Sequence, residues 1–266
     1  MAEVTRHNPG TFSWAELATT DAAAAKKFYT SLFGWGVDES PFGSGPDDIY
    51  TRLQISGKDV GALYPMRPEQ RQQGVPPNWL PYVTVAKADD AAQKAKSLGG
   101  KLLMEPFDVM SYGRMAVLQD PSGGTLAIWE PREHIGAQKV NESGAFCWME
   151  LLTRDAEKAR KFYSDLFGWT MKPSANDPKY TEIWRGEEPI GGLMGITPEM
   201  GNMPSNWSVY WMVTDVDASA AKAKSLGGSV MMGPQDIPTV GRFAALKDPQ
   251  GAIFSIFKPA PRERDQ

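Results

Sequence analysis

The chain has 266 residues, 41% of them hydrophobic and 23% charged, enough for two ordinary domains that each bury a core. Its formal net charge of −4 argues against the basic stripe of a nucleic-acid binder, and no run approaches the roughly 20 apolar residues that cross a bilayer. With one cysteine, Cys147, an internal disulfide is excluded, and two histidines, His7 and His134, leave almost nothing for a histidine cluster. The polar start, residues 1–10, has no apolar signal core, so a cytoplasmic protein is expected.

Alternation over 12–18 predicts a strand. Asp21 then caps a helix whose Ala25, Phe28, Tyr29 and Leu32 have helical spacing, and Gly34 stops it. Two or three strands follow to Met66, with a hairpin turn at 57–59, and a Pro- and Gln-rich loop covers 67–77. The order then restarts. A strand over 79–85 leads to a helix over 89–98, ended by Gly99 and Gly100. Strands near 101–104, 114–118 and 125–129 complete it, the last two joined by the turn Asp120-Pro-Ser-Gly.

The whole pattern occurs twice. Phe12-Ser-Trp-Ala-Glu-Leu returns as Phe146-Cys-Trp-Met-Glu-Leu, and Lys27-Phe-Tyr-Thr-Ser-Leu-Phe-Gly-Trp returns from Lys161. Tyr50-Thr51 matches Tyr180-Thr181, Gly61 matches Gly191, and Asn78-Trp79 matches Asn206-Trp207. Ala95-Lys-Ser-Leu-Gly-Gly matches the run from Ala223, and Asp120-Pro matches Asp248-Pro. The offset falls from 134 to 130 to 128, which places two loop deletions in the second copy. The chain therefore reads as α+β, with four βαβββ modules in two domains over 8–132 and 144–260, joined by a linker over 133–143.

This module order, with Phe-Tyr-x-x-Leu-Phe-Gly-Trp closing the first helix and Asp-Pro-x-Gly before the last strand, resembles the glyoxalase / bleomycin-resistance / extradiol-dioxygenase superfamily. The resemblance runs from about Gly10 to Pro259. It implies two half-open barrels, each able to enclose a ligand. Metal-using members place ligands near the start of each module's first strand and on its last strand, drawn from His, Glu or Gln. Carried over, those positions fall on Trp14, Leu80 and Ala127, and on Trp148, Ser208 and Ser255. The remaining position falls near Leu63-Tyr64 and Leu193-Met194. None is a metal donor, so no metal and no other cofactor is expected. A two-residue slip keeps the same strand face and would bring in Glu16 and Glu150.

Glu16 and Glu150 lie two residues after Trp14 and Trp148, hence on the same face. A carboxyl in an aromatic cavity would have a raised pKa and suit a general acid or base. Alternatively, each pairs with an arginine, Arg114 or Arg242, to hold the sheets together. The ligand-lining set is Trp14, Glu16, Tyr82, Arg114 and Trp129 in one half, with Trp148, Glu150, Tyr210, Arg242 and Phe257 in the other. Trp79 and Trp207 flank the inner face and read as core. Cys147 alternates away from Trp148 with no histidine near in sequence to activate it. His7 and His134 fall in the N-terminal arm and linker, and the tail 262–266 reads as a solvated end. Three functions stay open: a metal-independent small-molecule binder with a pocket in each half, a lyase, isomerase or dioxygenase, or an interaction protein with vestigial pockets. The partner expected is a small molecule, with no nucleic acid or membrane, and the assembly is a monomeric pseudo-dimer or a homodimer.

Overall fold

The computed structural model describes residues 3–43, 45 and 48–261. The tail from Arg262, expected to be solvated, lies outside the described residues. In the first half the order is β1 (Phe12–Thr19), α1 (Ala22–Phe33), β2 (Gly36–Pro41), β3 (Ile49–Ile55), β4 (Lys58–Pro65), α2 (Pro68–Gln72), β5 (Asn78–Thr84), α3 (Ala88–Ser97), β6 (Lys101–Val109), β7 (Gly113–Gln119) and β8 (Thr125–Pro131). The second half repeats it as β9 (Phe146–Thr153), α4 (Ala156–Phe167), β10 (Thr170–Pro173), β11 (Tyr180–Arg185), β12 (Glu188–Gly195), a 3-10 turn (Pro198–Met200), β13 (Asn206–Met212), α5 (Val216–Ser225), β14 (Ser229–Ile237), β15 (Gly241–Lys247) and β16 (Ile253–Pro259). No helix among the described residues is long and apolar enough to cross a membrane.

The first eight strands form one sheet in the order β2-β3-β4-β1-β5-β8-β7-β6, and the last eight form its twin. The end strands pair on one side only, so each barrel stays half open. β1 and β5 run antiparallel at the centre of the sheet and join the two modules of one half. Modules therefore pair within a half. The expected cap holds: the Asp21 carboxylate accepts from Ala24 N–H at 2.9 Å, and in the second half Asp155 does the same for Lys158 N–H at 3.1 Å. Gly34 and Gly168 stop α1 and α4 in the left-handed conformation, φ 75° and 73°. The expected loop over 67–77 contains the short α2, begun by Pro68 at a position where a missing N–H costs nothing. The strand expected near 101–104 runs on to Val109, because it keeps pairing with β7 through two register shifts.

One bulge per half decides which side chains face inward. Phe12 pairs with Val83 and Trp14 with Tyr82, so Ser13 is extra and the alternation flips across it. Phe146 and Trp148 flank Cys147 in the same way. As a result Phe12 points away from the barrel, against Trp169 and Trp207 of the other half at ring distances of 5.2 and 5.3 Å. Trp14 and Glu16 point inward.

The outer faces and helices of the two halves share one core. Tyr29 on α1 donates to Asp248 at 3.0 Å and accepts from the Trp79 indole at 3.0 Å. Tyr163 on α4 donates to Asp120 at 2.8 Å and accepts from Trp207 at 3.0 Å. Trp35 and Trp169 donate across the joint to the carbonyls of Gly144 and Gly10 at 2.8 and 2.7 Å. Gly61 suits the close approach here, since a Cβ would lie tightly, 3.0 Å from the Ala15 carbonyl and 3.2 Å from Trp211 of the other half. Removing either phenolic hydroxyl strands a buried carboxylate oxygen and an indole N–H. Tyr29→Phe and Tyr163→Phe are each expected to lower stability by about 1–3 kcal/mol. The check is the urea midpoint, and an unchanged midpoint in both would contradict this account of the joint.

Candidate ligand-binding site

On the inner face of the second barrel, Glu150 accepts hydrogen bonds from Tyr180 and Tyr210, both at 2.9 Å. The Trp148 indole donates to the Tyr180 hydroxyl at 2.9 Å. The sheet explains the meeting. Glu150 pairs with Gly192 on β12 and with Ser208 on β13. Tyr180, one strand beyond β12, bends back over Gly192, where an added Cβ would fall on its hydroxyl. Burial pushes the Glu150 carboxyl above its usual range, against the two tyrosine hydrogen bonds that favour the charged form. Burial and the neighbouring carboxylate keep Tyr180 and Tyr210 protonated, so both remain donors.

The first barrel carries the same constellation, less tightly drawn. Glu16 accepts from Tyr82 at 2.8 Å and from Tyr50 at 3.4 Å, and the Trp14 indole reaches Tyr50 at 3.3 Å. Ala62 stands where the second half has Gly192, and its methyl occupies the space over which the tyrosine would bend. Burial raises the Glu16 carboxyl to about 7, against hydrogen bonds from Tyr82 and Tyr50 and the charge of Arg67. The side chain keeps partial solvent contact, yet the surrounding protein is dense enough for desolvation to dominate.

Of the residues expected to line the sites, Trp14, Glu16, Tyr82 and Trp129 share one inner face, as do Trp148, Glu150, Tyr210 and Phe257, by the register of β1-β5-β8 and β9-β13-β16. Arg114 and Arg242 are not brought in, and neither pairs with a glutamate. Arg114 binds Asp89 at 2.7 Å and Asp108 at 3.0 Å, and Arg242 binds Asp217 and Asp236 at the same distances. Their alternation within β7 and β15 turns them outward, where they tie a helix to an edge strand. Trp79 and Trp207 are joint residues, as is the fully buried Trp211, which packs on Trp35 and Trp79 at 4.8 and 5.0 Å. Cys147 sits at the bulge, its thiol directed at the Tyr210 carbonyl and pushed by burial to about 12. Three residues left out of the expected lining belong here. Tyr50 and Tyr180 carried a signal, since Tyr-Thr recurs in both copies. His134 carried none; the linker brings its ring to 4.8 Å from Trp14, nearly perpendicular, and its Nε2 to 3.6 Å from Asp59.

The donor chemistry does not suit a metal of the kind the fold family uses. Each glutamate faces Leu80 or Ser208 across the strand pair, and its oxygens already accept tyrosine hydroxyls. Among the described residues no three His, Cys, Asp or Glu side chains converge to hold an ion. Two crevices, of about 390 and 280 Å³, lie away from both glutamates, between the N-terminal arm and the segment following β5. They lack a caged carboxylate.

With this geometry in place, the comparison with known proteins is direct. The model of the Glyoxalase/Bleomycin resistance protein/Dioxygenase superfamily matches residues 11–128 and 145–256. The chain belongs to that superfamily. It is 43% identical over 265 residues to the protein named "Putative glyoxylase CFP32" of Mycobacterium tuberculosis, covering 99% of this chain and 100% of the relative. It is 35% identical over 268 residues to the anthracycline biosynthesis protein DnrV of Streptomyces peucetius, covering 95% and 94%. Among solved structures, the Mn(II)-bound glyoxalase of Novosphingobium aromaticivorans superposes with a TM-score of 0.65 at 15% identity, covering 94% of this chain and 82% of that one. The 2,3-dioxygenase LapB of Pseudomonas sp. KL28 gives 0.64 at 11% identity, covering 100% and 96%. At such identities these structures establish the shared fold alone.

Two outcomes follow from the charge states. Glu16 titrates near 7 in the folded chain against an ordinary 4.5. Its contribution is neutral below 4.5, where both states are protonated, and becomes increasingly destabilising as pH rises from 4.5 through 7. Glu16→Gln is expected to flatten that fall in the urea midpoint between pH 5 and pH 8; an identical slope in both proteins would contradict the raised value. Cys147 is expected to resist a thiol reagent at pH 8 until the chain is unfolded, whereas rapid labelling of folded protein would show an accessible thiolate.

Proposed function

We propose that the protein binds a small planar aromatic compound bearing a cationic group, without a metal. One observation carries this reading. Glu150 is a largely buried carboxyl ringed by Trp148, Tyr180 and Tyr210, and among the described residues no arginine or lysine pairs with it or acts on its charge. A carboxylate in such a place is costly unless a cation answers it. Aromatic faces attract the same cation and stack on a flat ring system. The ligand supplies the missing charge, and its flat portion lies along the tryptophan. The Streptomyces relative is named for anthracycline biosynthesis, which makes an anthracycline the first probe to use.

Binding of such a probe should weaken as pH falls through the raised Glu150 pKa, because the proton and the ligand compete for one carboxylate. Glu150→Gln is expected to lower affinity at pH 8 at least about tenfold, equivalent to roughly 1.4 kcal/mol, measured by calorimetry or tryptophan quenching. Full affinity in Glu150→Gln would remove the carboxylate from the account. A second reading rests on Glu16: a carboxyl near 7 can both give and take a proton at neutral pH. Turnover lost in Glu16→Gln with binding retained would favour that reading.

A further inference from the structure

We infer that the first barrel is closed to ligand by the linker residue His134, and that the second barrel is the open site. This rests on the caged glutamates being ligand sites and says which one is available.

The linker does not simply connect the halves. Ala137 N–H donates to the Ser13 carbonyl at 2.7 Å and Gln138 N–H to the Asp59 carbonyl at 2.7 Å, so the segment lies along the first barrel. His134 is fixed at both backbone ends. Its N–H donates to the Tyr112 carbonyl at 3.1 Å, and its carbonyl accepts from the Trp129 indole at 2.9 Å. The imidazole is thereby set edge to face against Trp14, with Nε2 3.6 Å from the Asp59 carboxylate.

Asp59 is placed for this contact by a bulge. Leu53 pairs with Gly61 and Gln54 with Asp59, leaving Val60 extra, so Asp59 turns to the side carrying Arg52 and Gln54. Gln54 and Arg52 donate to its two oxygens at 2.8 and 3.2 Å. Burial works against the Asp59 charge, but the contacts with His134 and Gln54 and the Arg52 charge outweigh it and hold the carboxyl below its usual range. In the second half the corresponding residues are Pro189, Glu182 and Trp184, and Glu182 accepts from the Trp184 indole at 3.0 Å. Pro189 thus supplies no carboxylate where the first half has Asp59.

Side-chain size points the same way. Around the glutamate, Ala62 is replaced by Gly192, Leu80 by Ser208, Val117 by Ala245 and Trp129 by Phe257. Only residues 62 and 80 pair with the glutamate's own position; farther along the face the changes run both ways, with Met115, Ala127 and Thr84 enlarging to Phe243, Ser255 and Met212. Trp14 is 4% exposed, whereas Trp148 is only partly buried. Charge separates the two sites as well: the field of Arg67 acts on Glu16, and among the described residues no basic side chain acts on Glu150.

Two measurements test this. Oxidative footprinting read by mass spectrometry needs no ligand. Trp148 should oxidise several times faster than Trp14 in the native chain, and both His134→Ala and Asp59→Asn should raise the Trp14 rate. Equal rates in the native chain, or a Trp14 rate unmoved by both variants, would overturn the closure. Calorimetry with an anthracycline should give one site of native affinity per chain in the native protein, none of that affinity in Glu150→Gln, two in His134→Ala, and one in the double variant. Two sites in the native protein, or one of undiminished affinity in Glu150→Gln, would overturn the assignment of the open barrel. Footprinting as expected with no probe bound by any of the four proteins would instead defeat the binding function and leave the closure standing.

Discussion

The reciprocal contact of Tyr29 with Asp248 and of Tyr163 with Asp120 is the constraint on which the rest of the molecule depends. Each phenol comes from a first helix, and each carboxylate from the tight turn before the other half's last strand. That same carboxylate organises its own turn: Asp248 accepts from the N–H groups of Gln250, Gly251 and Ala252 at 2.8–2.9 Å. A single side chain thus fixes a local turn and a long-range contact together. Burial and the adjacent carboxylates keep both phenols protonated well above their usual range, so the donors persist. With tryptophans stacked around them, these contacts commit the outer faces of both sheets to a shared core. The inner faces are left as the surfaces that can differ between the halves.

What the inner faces retain is a carboxyl under opposing forces. Desolvation favours its neutral form, and two tyrosine hydroxyls favour its charged form. In both halves desolvation is the larger effect. The balance is adjusted by neighbouring residues: a methyl at position 62 or its absence at 192, and an arginine at position 67. Small changes of this kind let one duplicated scaffold hold two sites of unequal character without disturbing the joint, consistent with a fold that hosts many chemistries.

The duplication was readable because the joint demands the same residues twice. Tyr29 and Tyr163, Trp79 and Trp207, Trp35 and Trp169, and the two Asp-Pro turns are all joint residues, and these carried the repeat in the sequence. Helix caps and module order followed from local chemistry. The inward placement of Trp14 with Glu16 followed from strand alternation alone. The glutamate's partners did not. Tyr50 reaches Glu16 across an intervening strand, which depends on sheet order and on the size of residue 62. Arg114 was drawn inward on charge complementarity, but its alternation on β7 sends it to Asp89 and Asp108. His134 was dismissed because a linker position says nothing about where a linker lies, and the Val60 bulge that aims Asp59 at it has no local sequence signature.

The central claim is that each glutamate is a carboxyl in an aromatic cage whose pKa burial raises, and that in the second half a cationic ligand completes it. Carbon-13 NMR titration of the Glu16 and Glu150 side-chain carboxyls, with and without an anthracycline, addresses this most directly. Both should titrate above 4.5 in the free protein, Glu16 near 7, and the Glu150 value should fall when the probe is bound. Ordinary titration of both carboxyls, or a Glu150 value indifferent to a bound probe, would contradict it.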